Sequence, residues 1–428
     1  MRPWLALALL VASATAAQAH SAERGFVLLL PTTLIIAAGA VVVAISFAAL
    51  LLVPKSWFKE VFACERRLGH LPLPTTRFTS FIASLVIVAL IWTGMQGSRD
   101  PLENPMTLSV WVLWWVVIVL LHPLIGNLWA WINPFGWVSA APRLAFPAYV
   151  PALAIFAAFA WFQLVSVSPE DPAVLARAVT IYLGIGIAGV TVFGTEAWLA
   201  KGDPFSVFLR LLAAAAPLRR DSSGDVYLRL PGSGLARLPP LPLTGVLFVL
   251  LTLASVSFDG FANTFTWLSW GGINPLDFPG RTAMMAQNTF GLIGAFAVLA
   301  TLFLAATAFV SRGMGRFVYS LIPISIAFHF AHYLTDVLVN GQYLLVALGL
   351  KHDHPTTSFL NTASGATMIY SVQTSAIVIG HMFGVAIAHR IALDASPANT
   401  TRAELLVSML MVLYTAFGLW TLSAPAIG

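Results

Sequence analysis

The chain has 428 residues, of which 59% are hydrophobic and only 9% are charged, and its mean hydropathy is +0.86. A water-soluble fold of this size does not need so much apolar surface, so the composition indicates a polytopic membrane protein. The one cysteine, Cys64, excludes an internal disulfide and a cysteine-based metal cage. The formal charge of +5 does not indicate nucleic-acid binding, because the basic residues cluster in loops between apolar runs.

The N-terminus has the pattern of a secretory signal peptide. A basic start and a short apolar core precede Ala17-Gln18-Ala19, which is typical of a signal-peptidase site. Cleavage would remove residues 1–19 and leave His20 as the first residue, on the periplasmic side of a bacterial inner membrane. An N-terminal His offers its α-amine and its ring to one metal ion, which suits copper; chance placement beside the cleavage site is the alternative.

The rest of the chain predicts an all-α transmembrane helix bundle, because backbone groups in lipid must pair within their own segment. Lys and Arg concentrate in alternate loops, which assigns those loops to the cytoplasm and both ends of the mature chain to the periplasm. We expect a single transmembrane domain over 20–428, with a cytoplasmic loop at 199–242 and a periplasmic loop at 257–281. The ten predicted spans are approximately 27–53, 78–95, 106–125, 148–167, 174–198, 243–258, 282–310, 317–339, 364–388 and 404–423.

Both long connections carry patterns of their own. In the cytoplasmic loop, "PFSVFLRLLAAAAPLRR" predicts an amphipathic helix at the membrane interface. The later stretch "DVYLRLPGSGLARL" favours a small hairpin around Pro231–Gly234. The periplasmic loop is aromatic and rich in glycine, which favours a lid or a re-entrant element.

The stretch "AFHFAHYLTD" places His329, His332 and Asp336 inside an apolar span. At 100° per residue all three lie on one narrow helix face. Ionisable groups in a span are costly and should face a partner inside the protein. Imidazole and carboxylate on one face suit zinc or copper, and His381 in the next span lies at a similar depth, so we expect these four residues to bind a divalent metal. Hydrogen bonding between helices and a proton relay are the alternatives.

Other ionisable residues lie near the predicted membrane surfaces. Asp259, in "SFDGF", is predicted to end the sixth span, where it would serve as a general base or further ligand, or would simply cap a turn. His352 and His354 offer a second metal pair, with a solvated loop as the alternative. His389 lies beside Arg390 and is expected to be an interfacial residue.

Several short motifs together resemble the bacterial polytopic membrane proteins known as fenitrothion hydrolases. They are the Ala-x-Ala-His start, "HPLIGNLWAWINPF", "SFDGF", "QNTFGL", "AHY" and the "GH" and "AH" pairs at 380–381 and 388–389. The resemblance implies hydrolysis of an organophosphate triester such as fenitrothion, with release of a nitrophenol. It carries no established catalytic residues, so the roles assigned here come from the residues alone.

The sequence therefore predicts a membrane-bound, metal-assisted hydrolase of lipophilic phosphotriesters. A zinc or copper ion would polarise the phosphoryl group and activate a water, and Asp259 or Asp336 would accept its proton. A neutral triester dissolves in membrane lipid, which gives the location a purpose. Two other functions stay open: a protein that handles or transports copper or another metal ion, and a non-catalytic scaffold subunit. The sequence also leaves open whether activity requires a second subunit.

Overall fold

The fold is a bundle of long apolar helices with a small sheet at one end. A computed structural model describes residues 32–71, 76–146, 148–221, 223–277, 280–308, 313–350, 355–394 and 397–426. Nine helices within this part are long and apolar enough to cross a membrane. The prediction of an all-α polytopic bundle is confirmed. The predicted signal peptide, with His20, and the His352 and His354 pair lie outside the described residues.

The first half of the described chain contains seven helices and one strand, and its longest connection spans residues 133–149. Pro105–Ile125 is one continuous helix whose central part, Leu108–Ile118, is wound as a π-helix. The bounds are α1 Thr32–Leu52, α2 Lys55–Ala63, β1 Glu65–His70, α3 Thr76–Gln96, α4 Pro105–Ile125, α5 Trp129–Ile132, α6 Val150–Val165 and α7 Pro172–Phe193.

The second half contains the rest of the sheet and the helices that form the site. Short helical turns at Thr195–Ala197, Trp198–Gly202, Pro275–Asp277, Val318–Leu321 and Ser358–Asn361 connect some of these elements. The bounds are α8 Pro204–Ala213, β2 Leu218–Arg220, β3 Asp225–Arg229, α9 Ser233–Ala236, α10 Leu243–Ala262, α11 Phe265–Trp270, α12 Arg281–Thr307, α13 Gly313–Phe317, α14 Ile322–Ala347, α15 Ala363–Ala392 and α16 Pro397–Ser423.

Two predicted spans differ from the observed helices in ways that matter. The span expected at 148–167 is the sixteen-residue helix Val150–Val165, shorter than the roughly 20 residues that cross a bilayer unaided. The span expected to end at residue 258 continues to Ala262. Asp259 therefore lies within α10 rather than at its end. The glycine after it does not terminate the helix, and a Cβ built at Gly260 would lie 3.9 Å from the His332 ring.

The loop at 199–242 is packed more tightly than its sequence suggests. The predicted interfacial helix is Pro204–Ala213, and nine of its ten residues are buried, because Phe, Val and Leu cover nearly its whole circumference. The predicted hairpin around Pro231–Gly234 is wrong. Strand β3 instead pairs antiparallel with both β1 and β2, giving the order β1-β3-β2. No pattern in the sequence predicted the strand at 65–70.

Charged pairs hold this small sheet together. Arg67 binds Asp225 through two hydrogen bonds of 2.8 Å each. Glu65 is bonded to Arg219 at 2.9 Å and also to Arg237. Burial acts to raise the pKa of Glu65, but the hydrogen bonds and charges of the two arginines outweigh it, so the pKa is lowered overall. The ion pairs of Glu65 with Arg219 and Arg237 therefore stabilise the sheet only while Glu65 is ionised.

The central helices approach closely where glycines face them. Gly380 of α15 lies against α14, where an added Cβ would come within 2.3 Å of the Ala327 side chain and 2.9 Å of the Pro323 carbonyl. Gly384, one turn further along, would meet the Ser320 carbonyl at 2.7 Å. Small residues permit this packing because lipid supplies no hydrophobic force between helices, so close van der Waals contact must bind them. The contact fixes the position of α14, which carries the site.

Candidate functional site

The centre of the site is an aspartate–histidine pair between α10 and α14. His332 Nε2 lies 3.0 Å from Asp259 Oδ2, and their side chains are 25% and 17% exposed. The histidine comes from the stretch predicted to bind metal, whereas the aspartate comes from the predicted end of another span. Two ionisable groups placed in apolar helices thus satisfy each other, as membrane burial requires. The pair also positions the imidazole ring at a defined angle to its carboxylate.

Tyr333 connects this pair to two further helices. Its hydroxyl donates to Asp259 Oδ2 at 2.8 Å, the same oxygen that contacts His332. The tyrosine oxygen in turn accepts from Trp115 Nε1 at 3.2 Å and from Gln163 Nε2 at 2.5 Å. With two donors pointing at it, the hydroxyl has one remaining direction for its proton, which is toward Asp259. The carboxylate is therefore held by contacts from α4, α6, α10 and α14 together.

His329 has a different role from that expected. Its Nε2 lies 2.8 Å from the backbone carbonyl of Trp115. At that point the π-helix ends, and the Val119 N–H bonds the carbonyls of Trp114 and Val116 instead of that of Trp115. A π-helical segment commonly marks a functional region, because its irregular winding redirects backbone groups. Here His329 contacts a redirected carbonyl and fixes α14 against α4, which brings Tyr333 to Trp115.

A cavity of about 180 Å³ opens on the other side of the pair. His332 is the histidine in its wall, and the amides of Asn263 and Gln373 and the hydroxyl of Ser257 supply further polar groups. None of the described lining residues is Lys or Arg, so the cavity has no fixed positive charge for an anion. The lining residues are Val256, Ser257, Gly260, Asn263, Phe328, Ala331, His332, Gln373, Ile377, Gly418, Thr421, Leu422, Ala424 and Ala426.

The other predicted metal ligands lie apart from this pair. Asp336 is bonded to Asn340 Nδ2 at 2.5 Å, one turn along its own helix. His381 is fully buried, and its Nδ1 contacts the Ile377 carbonyl at 2.8 Å. Within the described part of the chain, no three His, Cys, Asp or Glu side chains form a group that could hold a metal ion. A metal site at His329, His332, Asp336 and His381 therefore stays a prediction.

Two conspicuous sequence features turn out to be structural. His122 bridges two backbone groups: its Nδ1 contacts the Ile118 carbonyl at 2.6 Å and its Nε2 accepts from Trp129 N at 3.0 Å. Asn133, in "WINPF", donates to Ser206 Oγ at 2.8 Å and to the buried carboxylate of Asp203. Burial raises the pKa of Asp203, which caps the N-terminus of α8. These contacts fix the turn between α4 and α5 against α8.

His389, expected at an interface, is instead buried. Its Nδ1 lies 2.6 Å from Glu404 Oε1, and the two side chains are 5% and 7% exposed. The ring also packs edge-on against Phe58, with centroids 5.1 Å apart. This histidine–carboxylate pair joins α2, α15 and α16 and is not among the residues that line the 180 Å³ cavity.

Sequence reasoning identified Asp259 and His332 separately but missed their partners. Tyr333, Gln163 and Trp115 carried no expected role, because tyrosine, glutamine and tryptophan are ordinary residues in membrane helices. The one available signal was adjacency, since Tyr333 directly follows His332. No family model, curated protein or solved structure matches this chain.

Proposed function

We propose that this protein is a membrane-embedded hydrolase of lipophilic, neutral phosphotriesters such as fenitrothion, with His332 as its general base and Asp259 as the group that orients it. The observation that carries the proposal is a histidine–carboxylate pair whose histidine borders a cavity among the helices. A base held by a carboxylate beside a cavity is the arrangement that activates a water for attack. The orienting contact uses Nε2, so Nδ1, beside Gly260, is the nitrogen that accepts the proton.

The reaction follows from these groups. A water oxygen attacks phosphorus, and its proton passes to the His332 ring as the new P–O bond forms. The bond from phosphorus to the aryl oxygen breaks, and the nitrophenolate leaves with the electron pair. Asp259 stabilises the imidazolium through the 3.0 Å contact. Nitrophenolate is a stable anion, so its departure requires little acid assistance.

The cavity favours a neutral substrate. Its described walls contain no Lys or Arg and combine apolar side chains with Ser257, Asn263 and Gln373. A phosphate monoester or diester would bring negative charge next to the Asp259 carboxylate without a compensating cation, at a cost that rises in a low dielectric. A neutral triester brings no negative charge into the cavity. A substrate of this kind also concentrates in the bilayer, from which the bundle is directly accessible.

The metal-assisted form of this mechanism stays a prediction. His332 and Asp259 could supply two ligands, but His329 contacts a backbone carbonyl, Asp336 contacts Asn340 and His381 contacts the carbonyl of its own helix. The described residues thus fall short of the three protein ligands that catalytic zinc sites use. No step above is assigned to a metal ion, and metal analysis of the purified protein tests this directly.

The deciding experiment compares two matched variants. His332→Gln retains a side chain that donates to Asp259 but has no basic nitrogen, so nitrophenol release from a triester should fall by about 10²–10⁴-fold. His381→Gln changes an equally embedded histidine outside the pair and should retain near-normal turnover. Near-normal turnover in His332→Gln would refute the assignment of the base. Loss of both activity and bound metal in His381→Gln would instead support the four-ligand metal site.

A further inference from the structure

Asp259 borders a second, water-sized chamber, which is separate from the large cavity. Its volume is about 20 Å³, and about 10–15 Å³ is enough for one water-sized occupant. Asp259 and Tyr333 border it, but His332 does not. The polar residues of its wall come from α6, α10 and α14, and they are Gln163, Thr252, Ser255, Asp259, Ser325, His329 and Tyr333.

Most hydrogen-bond donors in this wall are already used. Thr252 donates to the Val249 carbonyl at 2.8 Å, and Ser255 donates to the Thr252 carbonyl at 2.9 Å. Both protons point to the backbone of α10, which leaves only lone pairs on the two hydroxyl oxygens. Gln163 donates its amide N–H to Tyr333, and Tyr333 donates to Asp259. The chamber therefore presents several oxygen acceptors around one carboxylate.

One hydroxyl in the wall is not bonded to any residue that the structure describes. Ser325 is 5% exposed and forms no hydrogen bond with the residues that the structure describes. A buried hydroxyl without a partner costs free energy unless something in the adjacent space satisfies it. This side chain lies on α14, and Ser255 of α10 borders the same chamber. The Ser325 hydroxyl is therefore available to a species bound in the chamber.

The charge of Asp259 suggests what the occupant is. The Arg281 guanidinium donates to the carbonyls of Gln163 and Ser166 and forms no ion pair with Asp259. Among the described residues, Asp259 forms its ion-pair contact with His332, which carries a charge only when protonated, and no Arg or Lys forms an ion pair with it. Hard cations prefer oxygen ligands, and a single carboxylate with neutral oxygens suits a charge of +1 better than +2. A chamber of water size also excludes a large cation.

We propose that this chamber binds a monovalent cation of the size of Na⁺, held by the Asp259 carboxylate together with the hydroxyl and amide oxygens of Thr252, Ser255, Ser325 and Gln163. The cation would neutralise Asp259 from the chamber, whose lining does not include His332. It would leave His332 in place, because the histidine contacts the carboxylate from α14 and does not line the chamber. The proposal goes beyond hydrolysis and does not depend on it.

The test measures thermal unfolding of the purified full chain in detergent, without substrate. The unfolding midpoint should rise with NaCl and saturate, relative to choline chloride at equal ionic strength, because a ligand that binds only the folded state stabilises it. KCl should produce a smaller rise. Equal midpoints in NaCl and choline chloride would mean that the chamber holds water only, and an equal response to KCl and NaCl would refute the selection by size. Either result overturns the proposal.

Two serines on the same helix provide the matched control. Ser255→Ala removes a chamber oxygen and should raise the half-saturating Na⁺ concentration at least about tenfold. Ser257→Ala removes a similarly buried hydroxyl that borders the large cavity and should leave the Na⁺ response unchanged. If Ser255→Ala fails to fold, Ser325→Ala replaces it, since that hydroxyl has no bond to a described residue. An unaltered Na⁺ response in the chamber variant would refute the site, whatever the outcome of the hydrolysis assay.

Discussion

Replacement of Tyr333 by Phe isolates the contact that holds the Asp259 carboxylate. The change removes a 2.8 Å hydrogen bond to Asp259 and leaves Trp115 Nε1 and Gln163 Nε2 without their shared acceptor. A hydrogen bond to a charged group contributes about 1.5–3 kcal/mol. If the whole of that contribution is felt in the transition state, kcat falls by about 10- to 150-fold, at 1.36 kcal/mol for each factor of ten.

The structure also predicts which kinetic constant changes. Tyr333 does not line the 180 Å³ cavity, so it should not touch the substrate, and KM should change little. The assay is the steady-state release of nitrophenol from a neutral triester. Tyr414→Phe is the control, because that buried hydroxyl contacts Ser257 Oγ at 2.5 Å and has no described contact with Asp259. An unchanged kcat in Tyr333→Phe, or a loss expressed only in KM, would refute the role of the hydroxyl in orienting the pair.

Three further predictions concern the scaffold. Glu65→Gln should lower the thermal midpoint at neutral pH. The difference in midpoint between variant and parent should vanish as the pH falls through the folded-state pKa of Glu65, which is lowered. A carboxyl group with a lowered folded-state pKa stabilises the fold while it is ionised, and this stability is lost when it is protonated. Gly380→Ala should cost about 1–3 kcal/mol in unfolding free energy, whereas Gly294→Ala, where an added Cβ meets nothing within 4 Å, should cost nothing; equal effects would contradict the close helix contact. A phosphatase fusion after Leu360 should be active and one near Ser223 silent, and the reverse pattern would invert the predicted topology.

The sequence predicted the fold class well because lipid restricts the choices. Hydrophobic runs of about 20 residues have one stable form, and their positions follow directly from composition. The errors lie where helices end or pair. Asp259-Gly260 has the composition of a turn, yet α10 continues through it, since His332 satisfies the carboxylate and the glycine leaves room for the ring. The sequence pattern around Asp259 does not show that a residue of another helix, His332, will contact it.

The site was harder to predict for the same reason. Helical periodicity places His329, His332 and Asp336 on one face, but their partners differ: a backbone carbonyl, a carboxylate on α10 and an asparagine on the same helix. Only the positions of neighbouring helices decide among these. The π-helical winding of α4, which directs the Trp115 carbonyl to His329, follows from no recognised pattern in its sequence. Depth along a span likewise placed His381 near the site, although its ring contacts Phe328 and Tyr414 instead.

Two of the histidine–carboxylate pairs among the described residues show that pairing alone does not indicate catalysis. His389 and Glu404 are 5% and 7% exposed and join three helices, whereas His332 and Asp259 are 25% and 17% exposed beside a cavity. A sealed pair can only stabilise, and loss of one partner leaves an uncompensated buried group at a cost of about 3–5 kcal/mol. Glu404→Gln should therefore lower the unfolding midpoint without changing turnover in the protein that remains folded. Asp259→Asn should lower turnover and leave the unfolding midpoint nearly unchanged. The amide can still contact the ring, but it cannot stabilise the positive charge of the imidazolium. Turnover is compared at equal fractions of folded protein. If Glu404→Gln and Asp259→Asn then lost turnover equally, contact with the cavity would not explain why one pair is catalytic and the other is not.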